Sequence, residues 1–132
     1  MIKKIAFVAY PTKKIEESKR FWGELLGLKH KFDHTDDKGG WSEYDTPDQK
    51  SIAIDGFSPA GSRAYLALET DDIEAEIARL KEAGVPIHKD IWDNEVCKMA
   101  LIEDPEGNLL MIHQISAERA AAAAAASAPS SD

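Results

Sequence analysis

The stretch EYDTPDQKSIAI, residues 43–54, returns later in the chain as LIEDPEGNLLMI, residues 101–112. Pro47 in the first copy corresponds to Pro105 in the second. In both copies one strand-like run leads into a turn made of proline and an acidic residue, and a second strand-like run follows. Two such runs around a short turn are typical of a β-hairpin. The sequence therefore predicts two hairpins of the same design.

The segments before the two hairpins repeat as well. IAFVAY (residues 5–10) and YLALE (residues 65–69) are short, apolar and strand-like. Each is followed by an amphipathic pattern, which predicts one helix over residues 14–26 and a second helix that starts at Asp71. A glycine stands after each helix in a position that would end it. Each half of the chain thus reads strand, helix, strand, strand, strand.

Two βαβββ units are too few for a solenoid, so paired sheets are expected. We predict an α+β fold with a single domain over residues 1–116, made of module one (1–57) and module two (60–116). In this open, curved sheet each helix covers an outer face, and the inner faces border a central cleft. Strand alternation assigns the following residues to the helix side: Ile52, Ile54, Leu66 and Leu68. It assigns these residues to the inner face: Ser51, Ala53, Asp55, Tyr65, Ala67 and Glu69.

Composition excludes several classes of function. The 132 residues include 24 acidic and 16 basic side chains, for a formal net charge of −8, which disfavours nucleic acid and anionic membranes as partners. No apolar run approaches the roughly 20 residues that span a bilayer. The one cysteine, Cys97, has no disulfide partner in the chain, which favours a cytoplasmic location. Residues 117–132 are rich in Ala and Ser and are predicted to form a disordered tail.

Two motifs carry a resemblance to a known family. FWGELLGL (residues 21–28) resembles the first-helix segment of the vicinal oxygen chelate superfamily, and DPEGN (residues 104–108) is similar to the turn before its last strand. That superfamily includes glyoxalase I, bleomycin-resistance proteins and extradiol dioxygenases. The resemblance covers residues 2–116 and implies paired βαβββ modules in a half-closed barrel around a divalent metal. It also implies a homodimer, since members of this family commonly pair.

The resemblance also places four metal ligands, His and Glu in the metalloenzymes, on the first and fourth strands of each module. Here those positions fall on Ala6, give or take one residue, and on Ala53, Tyr65 and Met111. Alanine has no donor atom, tyrosine is a rare ligand outside ferric iron sites, and a thioether suits soft copper. The sequence therefore looks like a metal-free branch. We expect no cofactor, with a divalent metal as the alternative.

Two polar side chains are predicted as catalytic candidates. His113 shares the inner-face parity of Met111, and an imidazole can act as a base or as a hydrogen-bond donor near neutral pH. Glu43 lies on the first hairpin and would suit an acid or a base. The alternatives are a hydrogen-bonded histidine at a strand end and a solvated carboxylate at a sheet edge.

Four further side chains are predicted to contact a ligand: Trp41, Tyr65, Trp92 and Met111. Trp41 suits a lid that stacks on a flat ligand, and Trp92 lies in a segment predicted to be a loop. Tyr65 could offer its hydroxyl to a ligand or simply fill the space that a metal would take. The acidic neighbours of Cys97 argue against a reactive thiolate.

The leading interpretation is a glyoxalase- or bleomycin-resistance-like protein that binds a small, partly apolar, flat molecule in the cleft between its modules without a metal. The first alternative is an enzyme of the same superfamily, a lyase, isomerase or dioxygenase, which uses either a metal or acid/base chemistry. The second alternative is an interaction domain in which aromatic side chains fill the former site. The sequence separates none of these.

Overall fold

The computed structural model describes residues 1–126, and their side chains as far as residue 122. Within this part of the chain the strands are β1 (Ile2–Pro11), β2 (Lys29–Asp36), β3 (Gly39–Asp45), β4 (Ser51–Asp55), β5 (Tyr65–Thr70), β6 (Ile87–Asp93), β7 (Cys97–Glu103) and β8 (Leu109–Ile115). The helices are α1 (Ile15–Lys19), α2 (Ile73–Glu82) and α3 (Ala117–Ala126), and a π-helical segment over Arg20–Leu25 continues α1. The order βαβββ thus occurs twice, which confirms the α+β fold class.

The chain divides into two compact units. The first half is Ile5–Ala67, and the second half is Met1–Lys4 together with the chain from Leu68 onward. These limits differ from the predicted module limits at residues 57 and 60. Met1 belongs to the second half because its ammonium group lies 3.4 Å from a carboxylate oxygen of Glu76 and its carbonyl accepts a hydrogen bond from Thr70 Oγ1.

In the first half the strand order is β2-β3-β4-β1. β1 runs parallel to β4, and the other neighbours are antiparallel. The helical segment packs over the face that holds Tyr44, whose side chain is buried and whose hydroxyl lies 3.4 Å from the carbonyl oxygen of Lys19. Gly23 permits this approach, because a Cβ there would stand 3.1 Å from the Tyr44 ring. This face is the apolar side of the first sheet.

The helix predicted over residues 14–26 is not a uniform α-helix. The amide of Leu26 bonds to the carbonyl of Phe21, as in the wider π-helical turn. The apolar side chains at the end of this segment are not buried, since Leu25 is 78% exposed and Leu26 is 51% exposed. Gly27 follows with φ of 74° and ends the segment, as predicted.

In the second half the strand order is β5-β8-β7-β6, and α2 covers one face. The helix starts one residue later than predicted, because Asp72 is its N-cap and accepts a hydrogen bond from the amide of Ala75. The buried core under the helix is formed by Ile73, Ile77, Ala100, Ile102 and Ile112. Leu68 packs against this core, which confirms its predicted side of β5. Burial of each isoleucine contributes roughly 1.5–3 kcal/mol.

The disordered tail that the sequence predicts is corrected over Ala117–Ala126, which form α3. Alanine has the highest helix propensity of all residues, and this outweighs the lack of an amphipathic face. The rest of that predicted tail, residues 127–132, lies outside the described residues. Among the helices of residues 1–126, none has the length and apolar character needed to cross a membrane.

Candidate functional site

The face of the first sheet that points away from α1 carries several of the predicted residues. Trp41 lies opposite Asp55, and Glu43 lies opposite Ala53, across the β3–β4 pair. Ala9 of β1 lies on the other side of Ala53, so it belongs to the same face. The predicted alternation along β4 places Ala53 and Asp55 on this face, in agreement with these pairs.

Trp41 and Glu43 form a bonded pair on this face. The indole Nε1 of Trp41 donates a hydrogen bond of 2.8 Å to Glu43 Oε2, and both side chains are half-buried. The ring of Phe7 meets the indole edge-on, with centroids 5.4 Å apart and planes at 85°. This packing orients an aromatic surface beside a carboxylate, as recognition of a flat, polar-edged molecule requires.

The hydroxyl group of Tyr65 is hydrogen-bonded to a neighbouring carboxylate. Its hydroxyl donates a 2.8 Å hydrogen bond to Asp55 Oδ2, and Asp55 is only 3% exposed. The other Asp55 oxygen accepts hydrogen bonds from the amides of Phe57 and Ser58. Burial, and then the negative charge of Asp55, raise the pKa of Tyr65 above its ordinary value. Tyr65 is therefore a neutral hydrogen-bond donor that orients the loop after β4.

The second half holds a buried histidine–carboxylate pair. His113 Nδ1 and Glu69 Oε1 are 2.6 Å apart, and both side chains are buried. The other carboxylate oxygen, Glu69 Oε2, accepts the amide of Ile115 at 2.9 Å. His113 lies opposite Met99 on β7, which places the pair on the sheet face away from α2. Both oxygens of Glu69 are engaged, so the orientation of the imidazole is well determined.

Cys97 and Met99 alternate along β7, so the Cys97 side chain shares the sheet face of His113. Burial is the largest influence on this imidazole and would lower its pKa. The neighbouring Cys97 and Glu69 side chains outweigh burial and raise the pKa of His113 from 6.5 to about 9. The imidazole is therefore protonated at neutral pH and can donate a proton.

Trp92 and Met111 border the same face of the second sheet. Trp92 lies opposite Met99, and it belongs to β6, so the predicted loop at this position is wrong. The backbone of residues 87–93 pairs with β7, with two shifts of register, and this pairing outweighs the polar composition that suggested a loop. Lys89 Nζ lies 4.0 Å from the centroid of the Trp92 ring, a cation–π contact. Met111 is buried opposite Leu101.

The residues at the four positions where the resemblance places metal ligands do not fit a divalent ion. On β1 the residue on the face of Ala53 is Phe7 rather than Ala6, within the stated tolerance of one residue, and it offers no donor atom either. The Tyr65 hydroxyl already donates to Asp55, and Met111 offers only a thioether. In the part of the chain that the structure describes, no group of three or more His, Cys, Asp and Glu side chains could hold a metal.

Each half of the chain has a cavity. The larger, about 520 Å³, lies in the first half beside α1, and its wall includes Lys19, Asp33 and Tyr44. The Tyr44 side chain belongs to the helix side of the sheet, so this cavity is not on the face of Trp41 and Glu43. The smaller cavity, about 200 Å³, lies in the second half, and Cys97 forms part of its wall.

The structure brings the predicted residues together in two groups, one in each half. Trp41, Glu43 and Tyr65 belong to the first half, and Trp92, Met111 and His113 belong to the second. Sequence reasoning missed the contact between Glu69 and His113. Strand parity places Glu69 on the inner face, but it does not reveal that β5 lies beside β8.

Comparison with known proteins places these features in context. A family model described as Glyoxalase/Bleomycin resistance protein/Dioxygenase superfamily matches residues 4–112. No curated protein sequence matches the chain significantly. A superfamily member from Vibrio splendidus 12B01 is similar in fold, with 20% identity over 88% of this chain and 100% of that chain, at a TM-score of 0.65.

Two further similar structures are methylmalonyl-CoA epimerases. The enzyme from Mycobacterium tuberculosis has 15% identity over 91% of this chain and 93% of that chain, at a TM-score of 0.75. The enzyme from Streptomyces coelicolor, in complex with 2-nitronate-propionyl-CoA, has 14% identity over 89% of this chain and 100% of that chain, at a TM-score of 0.73. Identities this low establish a likeness of fold.

Proposed function

Because the chain belongs to the Glyoxalase/Bleomycin resistance protein/Dioxygenase superfamily, we propose that it binds a small, partly apolar organic molecule without a metal ion. The main support is the hydrogen-bonded pair of Trp41 and Glu43, which places an indole surface beside a carboxylate on the inner face of the first sheet. Binding sites for small molecules combine apolar walls with a few placed polar groups, and this pair supplies both. Ala53 has no donor atom and Met111 offers only a soft thioether, which supports binding without a metal.

The chemistry of the pair defines the class of ligand. The half-buried indole of Trp41 favours a flat ring system, which can stack on it at little cost in conformational entropy. The carboxylate of Glu43 accepts hydrogen bonds and favours a ligand that carries N–H or O–H donors or a positive charge. The proposed ligand is therefore flat, with donors or a positive charge at its edge.

A direct test uses proflavine, a flat cation with amino groups, as the probe. We expect proflavine to quench the tryptophan fluorescence in a saturable way. Glu43→Gln keeps a hydrogen-bond acceptor for the indole but removes the charge, and it should weaken binding by about 1 kcal/mol, or about fivefold. Trp41→Leu should abolish saturable quenching, because it removes the stacking surface.

A matched control separates this site from other aromatic surfaces. Trp22 packs against Tyr10 at 5.2 Å, far along the chain from Trp41, and Trp22→Phe should leave the affinity for proflavine unchanged. The flat anion 1-anilinonaphthalene-8-sulfonate should bind more weakly than proflavine, because Glu43 repels its sulfonate. Equal affinity of wild type and Glu43→Gln for proflavine would refute the assignment of this site.

Binding without a metal is tested separately. Protein dialysed against a chelator should bind proflavine as before, and adding Mg²⁺, Mn²⁺, Ni²⁺ or Zn²⁺ should leave the melting temperature unchanged. A specific site filled at one hundred times its dissociation constant would stabilise the fold by about 2.7 kcal/mol, which a thermal shift readily detects. An ion-specific shift of this size would favour the metal-dependent alternative.

A second candidate function, acid/base catalysis, is favoured by the pair of His113 and Glu69. The raised pKa of His113 leaves the imidazole protonated at neutral pH, and Glu69 orients it, as in a general acid. Such a group could deliver a proton to an anionic intermediate beside a carbonyl. One of the structurally similar epimerases is in complex with 2-nitronate-propionyl-CoA. Coenzyme A thioesters are therefore a reasonable first class of substrates to assay. Loss of turnover in His113→Asn, measured where circular dichroism shows the variant to be folded, would support this function.

We further propose that the protein forms a homodimer and that it is located in the cytoplasm. The apolar side chains of Phe21, Leu25 and Leu26 are 46%, 78% and 51% exposed, and exposed apolar residues that lie together favour association. Light scattering at increasing protein concentration tests the dimer. Leu25→Glu should shift a dimer towards monomer, whereas a monomeric wild type would refute this part. The lone cysteine supports a reducing compartment.

A further inference from the structure

The cavity of about 520 Å³ in the first half lies on the helix side of the sheet, away from the pair of Trp41 and Glu43. Leu28 and the ring of Tyr44 supply apolar surface to its wall. Its volume falls within the 300–1,000 Å³ that is usual for sites of small organic molecules. This cavity is therefore large enough for a ligand of its own.

The π-helical segment forms one wall of this cavity. Arg20, Gly23 and Glu24 all belong to the segment, and all three line the cavity. Widened turns of this kind are frequent at functional sites. Gly23 is a poor helix former, and a Cβ at this position would stand 3.1 Å from the Tyr44 ring. The segment thus departs from a regular α-helix where it borders the cavity.

Some of the charged side chains in the wall neutralise one another. Lys19 Nζ donates a hydrogen bond of 3.0 Å to Asp33 Oδ2, and Glu16 Oε1 lies 4.0 Å from the same ammonium group. His30 Nε2 is 3.1 Å from the other carboxylate oxygen, Asp33 Oδ1. Both oxygens of Asp33 are therefore engaged, and the Lys19 ammonium group already lies between two carboxylates. These groups offer little to a ligand.

Two other charged side chains of the wall, Arg20 and Glu24, make no ion pair and no side-chain hydrogen bond with any described residue. Both are exposed, and they stand four residues apart. A glutamate and an arginine at this spacing on an α-helix can pair with each other, but these two do not. The cavity therefore presents one guanidinium group and one carboxylate that a ligand can engage.

We propose that this cavity binds a free α-amino acid with an apolar side chain. Arg20 pairs with the carboxylate of the amino acid, and Glu24 pairs with its ammonium group. The apolar side chain lies against Leu28 and Tyr44. A guanidinium group suits the carboxylate, because it can donate two parallel hydrogen bonds to it.

The charges of the wall exclude simpler ligands. A plain anion would be repelled by Glu24, and a plain cation would be repelled by Arg20. Because these two residues are about one helical turn apart, the two charges of the ligand must be close together, as they are on the α-carbon of an amino acid. The site shares no residue with the pair of Trp41 and Glu43, so it does not rest on the function proposed above.

L-Leucine is the probe, and its binding is followed by the amide signals of the protein in two-dimensional NMR at low ionic strength, where exposed charges are screened least. We expect saturable shifts in the π-helical segment and at Leu28 and Asp33. The side chain of leucine is not flat, so it is a poor ligand for the indole of Trp41. An absence of shifts, or shifts at Trp41 and Glu43 alone, would overturn the proposal.

Two analogues of leucine test the two charges separately. N-Acetyl-L-leucine keeps the carboxylate but has no ammonium group, and L-leucinamide keeps the ammonium group but has no carboxylate. Each should bind wild type about fivefold more weakly than L-leucine, because one ion pair is lost. Binding of either analogue as tightly as L-leucine would overturn the recognition of both charges.

Substitutions assign each charge to its partner. Arg20→Gln should remove the preference for L-leucine over L-leucinamide, and Glu24→Gln should remove the preference over N-acetyl-L-leucine. Both side chains are exposed, so both variants should fold. Arg63→Gln and Glu17→Gln are the matched controls, exposed in the same half but outside the cavity wall, and they should keep both preferences. A preference that persists in Arg20→Gln or in Glu24→Gln would overturn the proposal.

Discussion

Replacing His113 by Asn should change how the stability of the fold depends on pH. The pKa of His113 is 6.5 in the unfolded chain and about 9 in the folded protein, because the neighbouring Cys97 and Glu69 side chains outweigh the effect of burial. At about 1.4 kcal/mol for each pKa unit, the protonated imidazole contributes about 3 kcal/mol to the free energy of unfolding. The side chain is nearly inaccessible to water, so solvent screens this interaction little.

The direction of the effect follows from the raised pKa. Below pH 6.5 the imidazole is protonated in both states, and the full contribution is present. As pH rises towards 9 the unfolded chain releases the proton first, so the contribution is lost over this window. Wild type should therefore lose about 3 kcal/mol relative to His113→Asn between about pH 6 and pH 9.5.

Urea unfolding followed by circular dichroism measures this difference. The free energies of unfolding of both proteins should be determined at intervals of about half a pH unit, with the slope against urea checked for constancy. In wild type the stability should decline from about pH 6.5, and in His113→Asn the decline should be much weaker. Parallel curves for the two proteins would refute the imidazolium–carboxylate pair as a stabilising contact.

Three further substitutions test the packing of each half by the same urea assay. Tyr65→Phe removes the hydroxyl that donates to Asp55 and should cost about 1.5–3 kcal/mol, and a neutral result would mean that this bond adds nothing. Gly56→Ala should cost about 1–3 kcal/mol, because the new Cβ would stand 2.7 Å from the backbone oxygen of Gly40; a stability equal to wild type would contradict that close approach. Ile77→Ala leaves a cavity in the core under α2 and should cost about 2–5 kcal/mol, so a loss below about 1 kcal/mol would show that this core is loosely packed.

The repeat predicted the fold well because it reports on local structure. The alternation of YLALE placed Leu68 under the helix, and the structure confirms this. The capping signal located α2 to within one residue, at Asp72 rather than Asp71. Periodicity depends on the residues of one element, and these are neighbours in sequence.

The same reasoning failed where a neighbour outside the element decides the outcome. The polar segment around Trp92 looks like a loop, but pairing with β7 makes it a strand. The apolar residues Leu25 and Leu26 look like part of a buried stripe, but the π-helical turn leaves them exposed. A residue inserted into a helical turn leaves no distinct pattern in the sequence.

The same distinction between contacts within one element and contacts between elements applies to the candidate site. By itself the sequence determined the order of the elements, the sheet face of the side chains on β4 and β5, and the poor metal-binding chemistry of Ala53 and Met111. Trp41 and Glu43 are two residues apart on one strand, so their contact follows from strand alternation.

Only the tertiary structure decided that Glu69 and His113 meet. Glu69 and His113 are 44 residues apart, and their contact exists because β8 lies between β5 and β7. Pairing between distant strands depends on the packing of whole elements, which the alternation within a single strand does not encode. The same pairing brings a histidine and an inner-face carboxylate together as one buried pair.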